Sequence, residues 1–193
     1  MTSLNQKREF VLGRELAFAD AVGAAVFEKP KVSFWMVLLP ILFVYFIFRM
    51  QKFRNSRKQF NEEFMITRRR AMEVALQAVE GGGEPDVAHT ARESGLPEGL
   101  EKTYVAWVRA LVDHYTDLLK AEGESFEDLV RSAYRNRTDY LLSLNRLNAV
   151  EKEFYGALKP HLARSTEGVA EIISTIQEQS TRLRRDLAEV IFP

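Results

Sequence analysis

The chain has 193 residues, with 27 Lys and Arg against 27 Asp and Glu and no cysteine. That length allows one ordinary compact domain and excludes two large ones. The balanced charge excludes a whole-chain field for a polyanion, and the missing cysteines exclude disulfides, thiolate metal sites and cysteine nucleophiles together.

The first 31 residues form the N-terminal segment, and they read as helix. Phe10 to Phe27 is apolar but carries Arg14, Glu15 and Asp20, and it sets Gly13, Ala17, Ala21 and Ala25 four apart, a small-residue ridge along which another helix can approach closely. Two placements follow. If this helix stays out of a bilayer, the chain crosses once and its N-terminus lies on the outer side, opposite the bundle. If it dips in, the stretch from Glu28 to Lys31 becomes the turn of a short N-terminal hairpin. Three charges inside hydrocarbon weigh against the hairpin.

Val32 to Phe48 (VSFWMVLLPILFVYFIF) runs for 17 residues without an ionisable side chain, and it is not followed by the small-residue pattern of a cleaved signal peptide. It predicts a transmembrane helix over 32–50, built on Val32, Trp35, Leu38, Pro40, Phe43, Tyr45 and Phe48. Trp35 and Tyr45 suit the two interfaces, and Pro40 predicts a kink. Arg49, Lys52, Arg54, Arg57 and Lys58 follow with no acid before Glu62, which places that flank on the cytoplasmic side and against anionic headgroups.

Residues 51–80 read as a basic juxtamembrane helix with Phe53, Phe60, Phe64, Met72, Ala75 and Val79 on one side. From Arg49 to Glu80 the net charge is +4, eight basic residues against four acidic, whereas Gly81 to Pro193 has 14 against 19. Gly81, Gly82 and Gly83 predict a hinge within 81–85.

The remainder, 86–193, reads as a helical bundle. Asp86 to Glu93 is a short helix closed by Gly95. From Pro97 to about Ala121, Leu100, Tyr104, Trp107, Leu111, Tyr115 and Leu118 recur at threes and fours, the spacing of a buried stripe. Ser125 caps a long helix that Pro160 is expected to end, with Phe126, Val130, Ala133, Tyr140, Leu144, Leu147, Phe154 and Leu158 on its apolar side. Arg137 and Glu151 interrupt that stripe and call for partners on neighbouring helices or for an outward turn. The last helix, from about Thr166 to Ile191, sets Val169, Ile173, Ile176, Leu183, Leu187 and Val190 at heptad spacing, with Ser180 in the remaining slot; such a stripe also suits a coiled coil with a second copy. The expected fold is therefore all-α, a single transmembrane helix followed by an antiparallel bundle of three to four helices.

Catalytic and metal chemistry finds little support. His89, His114 and His161 fall in three different elements, and none forms an i, i+3 or i, i+4 ligand pair. The three glycines lack the Lys and Ser or Thr of a phosphate loop. Ala88 to Leu100 has helix-turn-helix spacing, but its would-be reading helix opens with Glu98 and Glu101, which a phosphate backbone repels. The sequence thus predicts no catalytic residue, no cofactor, no metal and no nucleic-acid partner. It predicts a non-enzymatic adaptor or scaffold at the cell membrane, its bundle cytoplasmic, whose partners are the membrane and another protein, or a second copy met through the last helix. The alternatives are an accessory subunit of a membrane enzyme or transporter, held by the small-residue ridge, and a membrane signalling or regulatory protein working through the glycine hinge.

Overall fold

A computed structural model describes residues 2–27, 56–92, 96, 99–163 and 169–193. Among these residues the fold is all-helical: α1 (Leu4–Phe27), α2 (Ser56–Gly81), α3 (Val87–Arg92), α4 (Glu101–Lys120), α5 (Phe126–Ala133), α6 (Arg137–Ala163) and α7 (Val169–Ile191). No helix among them is long and apolar enough to cross a membrane. The predicted span Val32–Phe48 lies outside the described residues, as do Arg49, Lys52 and Arg54; Arg57 and Lys58 fall in the first turn of α2.

Five long helices make the body, not three or four. The added member is α1, which the sequence set apart from the bundle and which instead packs against α2, α4, α5 and α7. Val11, Ala19, Val22 and Val26 supply its buried edge, at spacings that return to one face every 3.6 residues. Likewise α2 belongs to the core rather than to a separate juxtamembrane unit, burying Phe60, Phe64, Met65, Met72 and Ala75.

Side-chain pairings give the directions. Along α1, Arg8, Glu15 and Asp20 meet Glu73, Arg68 and Asn61 of α2, so the two helices run antiparallel. Gly23 lets them approach closely, since a Cβ there would lie 3.0 Å from a carbon of the Phe60 ring. In turn α4 is antiparallel to α1, through Lys7 on the Leu119 carbonyl and Tyr115 on Glu15, and antiparallel to α6, through Tyr104 and Trp107 on Phe154 and His114 on Tyr140. The neighbouring α2 and α4 lie against each other, with the Arg68 guanidinium 5.9 Å from the Trp107 ring centre, and α3 lies in the chain between them.

The stripe predicted for α4 is the centre of the core, with Leu100, Tyr104, Trp107, Leu111, Tyr115 and Leu118 all buried. Three expectations are corrected. The helix capped by Ser125 is interrupted: Ser125 accepts the Asp128 N–H at 3.1 Å as predicted, but α5 closes at Tyr134, whose backbone is extended, and Asn136 then caps α6 by accepting the Asp139 N–H at 3.0 Å. A side chain that satisfies the free N–H groups of a new first turn makes such a restart cheap. Pro160 does not end α6, which continues to Ala163. The last stripe departs from a heptad: Ile173, Ile176 and Ser180 are buried, but the run continues through Arg184, Ala188 and Ile191, while Val190 is 70% exposed and Leu183 and Leu187 are partly covered. A straight helix has 3.6 residues per turn, so a 3.5-residue repeat drifts off the buried face within a few turns. This helix buries against its own bundle, and the drift shows it.

Candidate functional site

The most concentrated polar chemistry lies inside the bundle. On α2 the four-residue step from Phe60 to Phe64 continues to Arg68 before returning to Met72, so an arginine takes a core position. Its side chain is 1% exposed. On α1, Glu15 follows Val11 by the same step. On α6, Glu151 sits in the apolar stripe, and on α7, Arg184 follows Ser180. The tertiary packing brings these four charges from four helices to one place.

Arg68 Nε donates to Glu15 Oε2 at 2.9 Å and its Nη2 to Glu151 Oε1 at 3.2 Å, while Nη1 donates to the Phe64 carbonyl at 3.2 Å. Glu151 turns its other oxygen to Arg184 Nη1 at 2.6 Å, and the same nitrogen meets Asn148 Oδ1. The second oxygen of Glu15 accepts the Tyr115 hydroxyl at 2.9 Å. Aromatic rings close the shell: Arg68 lies 3.8 Å from the Phe64 ring centre and 5.9 Å from that of Trp107, and Arg184 lies 5.1 Å from that of Phe18.

Two positive and two negative charges sum to zero, with each carboxylate oxygen bonded. Burial by itself would push the Glu151 carboxyl up, but Arg184 and Arg68 outweigh it and hold it below its ordinary range. Burial likewise works against the Arg68 charge, and Glu15 with Glu151 more than restores it. The Tyr115 phenol is pushed well above its ordinary value by burial and by the charge of Glu15. Glu151, Arg68 and Tyr115 are therefore each held in one protonation state near neutral pH, which suits a structural junction. The junction fixes the register of α1, α2, α6 and α7 together.

Glu151 was legible as a stripe charge awaiting partners; the predicted outward alternative fits Arg137, which is exposed and reaches Glu189 at 2.8 Å. Arg68, Glu15 and Arg184 were missed as a set. The available signal was the four-residue step, with Phe64 and Met72 on either side of Arg68, Val11 and Ala19 on either side of Glu15, and Ser180 and Ala188 on either side of Arg184.

A second buried polar group is His114, whose Nδ1 lies 2.7 Å from the Tyr134 hydroxyl, itself 3.1 Å from Ser143 Oγ. Burial pushes this imidazole down to about 4; Glu15 opposes that shift and Arg184 adds to it. The extended backbone at Tyr134 that interrupts the helix also lays its ring against His114 and Tyr140, with centres 5.9 and 5.0 Å apart. His89 and His161 are exposed, and the side chain of Asp86 caps α3 by accepting the His89 N–H at 3.1 Å. Among the described residues no group of three or more histidines and carboxylates is placed to hold a metal.

The predicted ridge faces outward. Gly13 and Ala17 are exposed, Ala21 and Ala25 half-buried, and a Cβ built at Gly13 meets nothing within 4 Å. The buried edge of α1 is the adjacent one. Gly81 ends α2, and Gly82 adopts φ +64° while its N–H bonds the Ala78 carbonyl at 3.0 Å, a left-handed helix cap that favours glycine. All three glycines are exposed at the joint between α2 and α3.

The fold and its charged interior define a class, an all-α bundle locked by a buried ionic junction. Comparison with protein-family models, with curated proteins and with solved structures finds no match to the chain.

Proposed function

We propose that this protein is a membrane-tethered helical adaptor: an apolar insertion holds it at the cytoplasmic face of the cell membrane, and the bundle acts through protein–protein contacts, without chemistry of its own. The observation that carries this reading is the position of the insertion. The 17-residue uncharged stretch Val32–Phe48 falls in the chain between two helices, α1 and α2, that are paired through an otherwise self-satisfied ionic junction. An uncharged stretch of that length matches lipid tails far better than water, and Lys29, Lys31, Arg49, Lys52, Arg54, Arg57 and Lys58 bracket it with the charge that cytoplasmic flanks carry.

Vesicle flotation tests the tether. The intact chain is expected to float with vesicles, and a variant with residues 32–48 replaced by an equally long Gly/Ser linker is expected to stay at the bottom; equal flotation of both ends the membrane reading. Crosslinking in native membranes tests the adaptor role, which fails if the chain captures only itself.

The open ridge of α1 favours one second reading, an accessory subunit of a membrane complex. Gly13 and Ala17 leave room for a foreign helix along the exposed side of α1. Gly13→Leu and Ala17→Leu would then release the chain from its complex while leaving its fold intact.

A further inference from the structure

Glu15 enters the ionic junction on a helix that buries little bulk. The buried apolar side chains of α1 are Val11, Ala19, Val22 and Val26, whereas α4 buries Tyr104, Trp107, Leu111, Tyr115 and Leu118. Gly13 lowers the helix propensity of α1, and nothing within 4 Å of a Cβ there requires a glycine. The rim of α1 is held by partly exposed polar ties: Arg8 on Glu73, Arg14 on Glu127 at 4.0 Å, and Lys7 on the Leu119 carbonyl at 3.1 Å. Water replaces such ties at little cost. Small buried side chains and water-facing ties mark an element that opens by itself, below the free energy of global unfolding.

Opening changes the charge of the junction. Arg68 Nε and the Tyr115 hydroxyl both donate to Glu15, at 2.9 Å each. Without α1 the set keeps two positive charges, Arg68 and Arg184, against the one negative charge of Glu151, a net +1. Two donors, one from α2 and one from α4, then lack their carboxylate, beside the Phe64 ring whose centre lies 3.8 Å from the Arg68 guanidinium. The helix that complements them is specified by α1. It carries a carboxylate, with small apolar side chains four positions before it and four, seven and eleven after it, as Val11, Ala19, Val22 and Val26 stand to Glu15. Eight positions after the carboxylate it has a glycine, where a Cβ on Gly23 would lie 3.0 Å from the Phe60 ring.

We propose that α1 is a detachable latch over a helix-binding groove on α2, α4 and α7, and that the partner of the adaptor is a helix whose carboxylate replaces Glu15 on Arg68 and Tyr115. This rests on the adaptor reading above and names the surface through which it works, an amphipathic helix laid into a groove. The fraction of molecules with α1 open sets the apparent affinity of the groove, so a change that weakens α1 in its own chain strengthens binding of a helix from outside. Non-specific apolar adhesion has no such reversal.

Native-state hydrogen exchange of the full chain in detergent tests the latch. The α1 amides are expected to exchange at least about tenfold faster than those of α4 and with a weaker dependence on urea, since little surface is uncovered when α1 opens. Exchange of α1 and α4 at one rate and one urea dependence overturns the latch. Fluorescence anisotropy tests the groove, with a labelled synthetic peptide of residues 2–27 as the probe. The peptide is expected to bind the full chain saturably. Glu15→Gln in the peptide should weaken that binding about tenfold, and Glu15→Gln in the chain should strengthen it about tenfold. Absence of saturable binding, or binding indifferent to Glu15 on either side, overturns the groove and leaves the adaptor reading to its own test. Crosslinking that captures only the chain itself, while the peptide binds as expected, overturns the adaptor reading and the partner with it, and the latch stands.

Discussion

Arg68 of α2 and Glu151 of α6, 83 positions apart in the chain, meet at 3.2 Å in the interior, and the same carboxylate holds Arg184 of α7 at 2.6 Å. One glutamate thus bridges two arginines, whose remaining partners are Glu15, Asn148 and the Phe64 carbonyl. Replacing a buried ion network wholesale by apolar groups is often neutral, whereas removing one member leaves a charge uncompensated.

Glu151→Leu is therefore expected to destabilise the protein by about 3–5 kcal/mol, since it leaves Arg184 buried without a carboxylate and Arg68 with Glu15 alone. Adding Arg184→Met should recover part of that loss, and a double-mutant cycle read by urea denaturation in detergent is expected to give a coupling of about 2 kcal/mol or more. Additive effects would show that the two side chains do not share the site.

His114 makes stability fall with acid. Its folded value is lowered to about 4 against 6.5 for the free imidazole, so between those values the unfolded chain binds the proton and the folded chain does not. The contribution is complete above pH 6.5 and is lost as pH falls towards 4, by up to about 3 kcal/mol. His114→Phe keeps a ring against Tyr134 and Tyr140 and leaves the Tyr134 hydroxyl its Ser143 partner. Denaturation midpoints measured from pH 7 to pH 4 should then lose most of their slope in that variant; the lowered Glu151 carboxyl, depressed below its ordinary range, retains a dependence at the acid end.

Two glycines should respond oppositely to alanine. A Cβ at Gly123 would stand 2.7 Å from the Asp128 Cβ and 2.8 Å from the Leu129 nitrogen, so Gly123→Ala forces the turn before α5 apart and is expected to cost about 2 kcal/mol or more. Gly13 lies inside α1 with open space around it, and Gly13→Ala is expected to stabilise by up to about 1 kcal/mol through helix propensity. Thermal midpoints of the two variants decide this.

Neutralising Arg49, Lys52 and Arg54 with glutamine is expected to weaken binding to vesicles containing phosphatidylserine by roughly 1 kcal/mol per charge, and to leave binding to purely phosphatidylcholine vesicles nearly unchanged. Equal loss on both vesicle types would show that these side chains act on the fold rather than on headgroups.

The sequence by itself determined the local order. The three-and-four spacing of Tyr104, Trp107, Leu111 and Tyr115 specifies a helix buried along one side, and Ser125 followed by Asp128 specifies where a helix begins, because both signals act within one or two turns. The charge of Glu151 in an apolar stripe was likewise visible, as a demand for partners. Which partners answered was decided only in three dimensions: Glu15, Arg68 and Arg184 each look like a surface charge until opposite charges from other helices compensate their desolvation. The same holds for α1, whose modest apolar edge gains a core only against α2, α4, α5 and α7, and for the last stripe, where packing within the bundle selected the 3.6-residue line through Ile191 over the 3.5-residue line through Val190. Periodicity is set by the geometry of one helix, whereas the burial of charge depends on what distant parts of the chain bring to meet it.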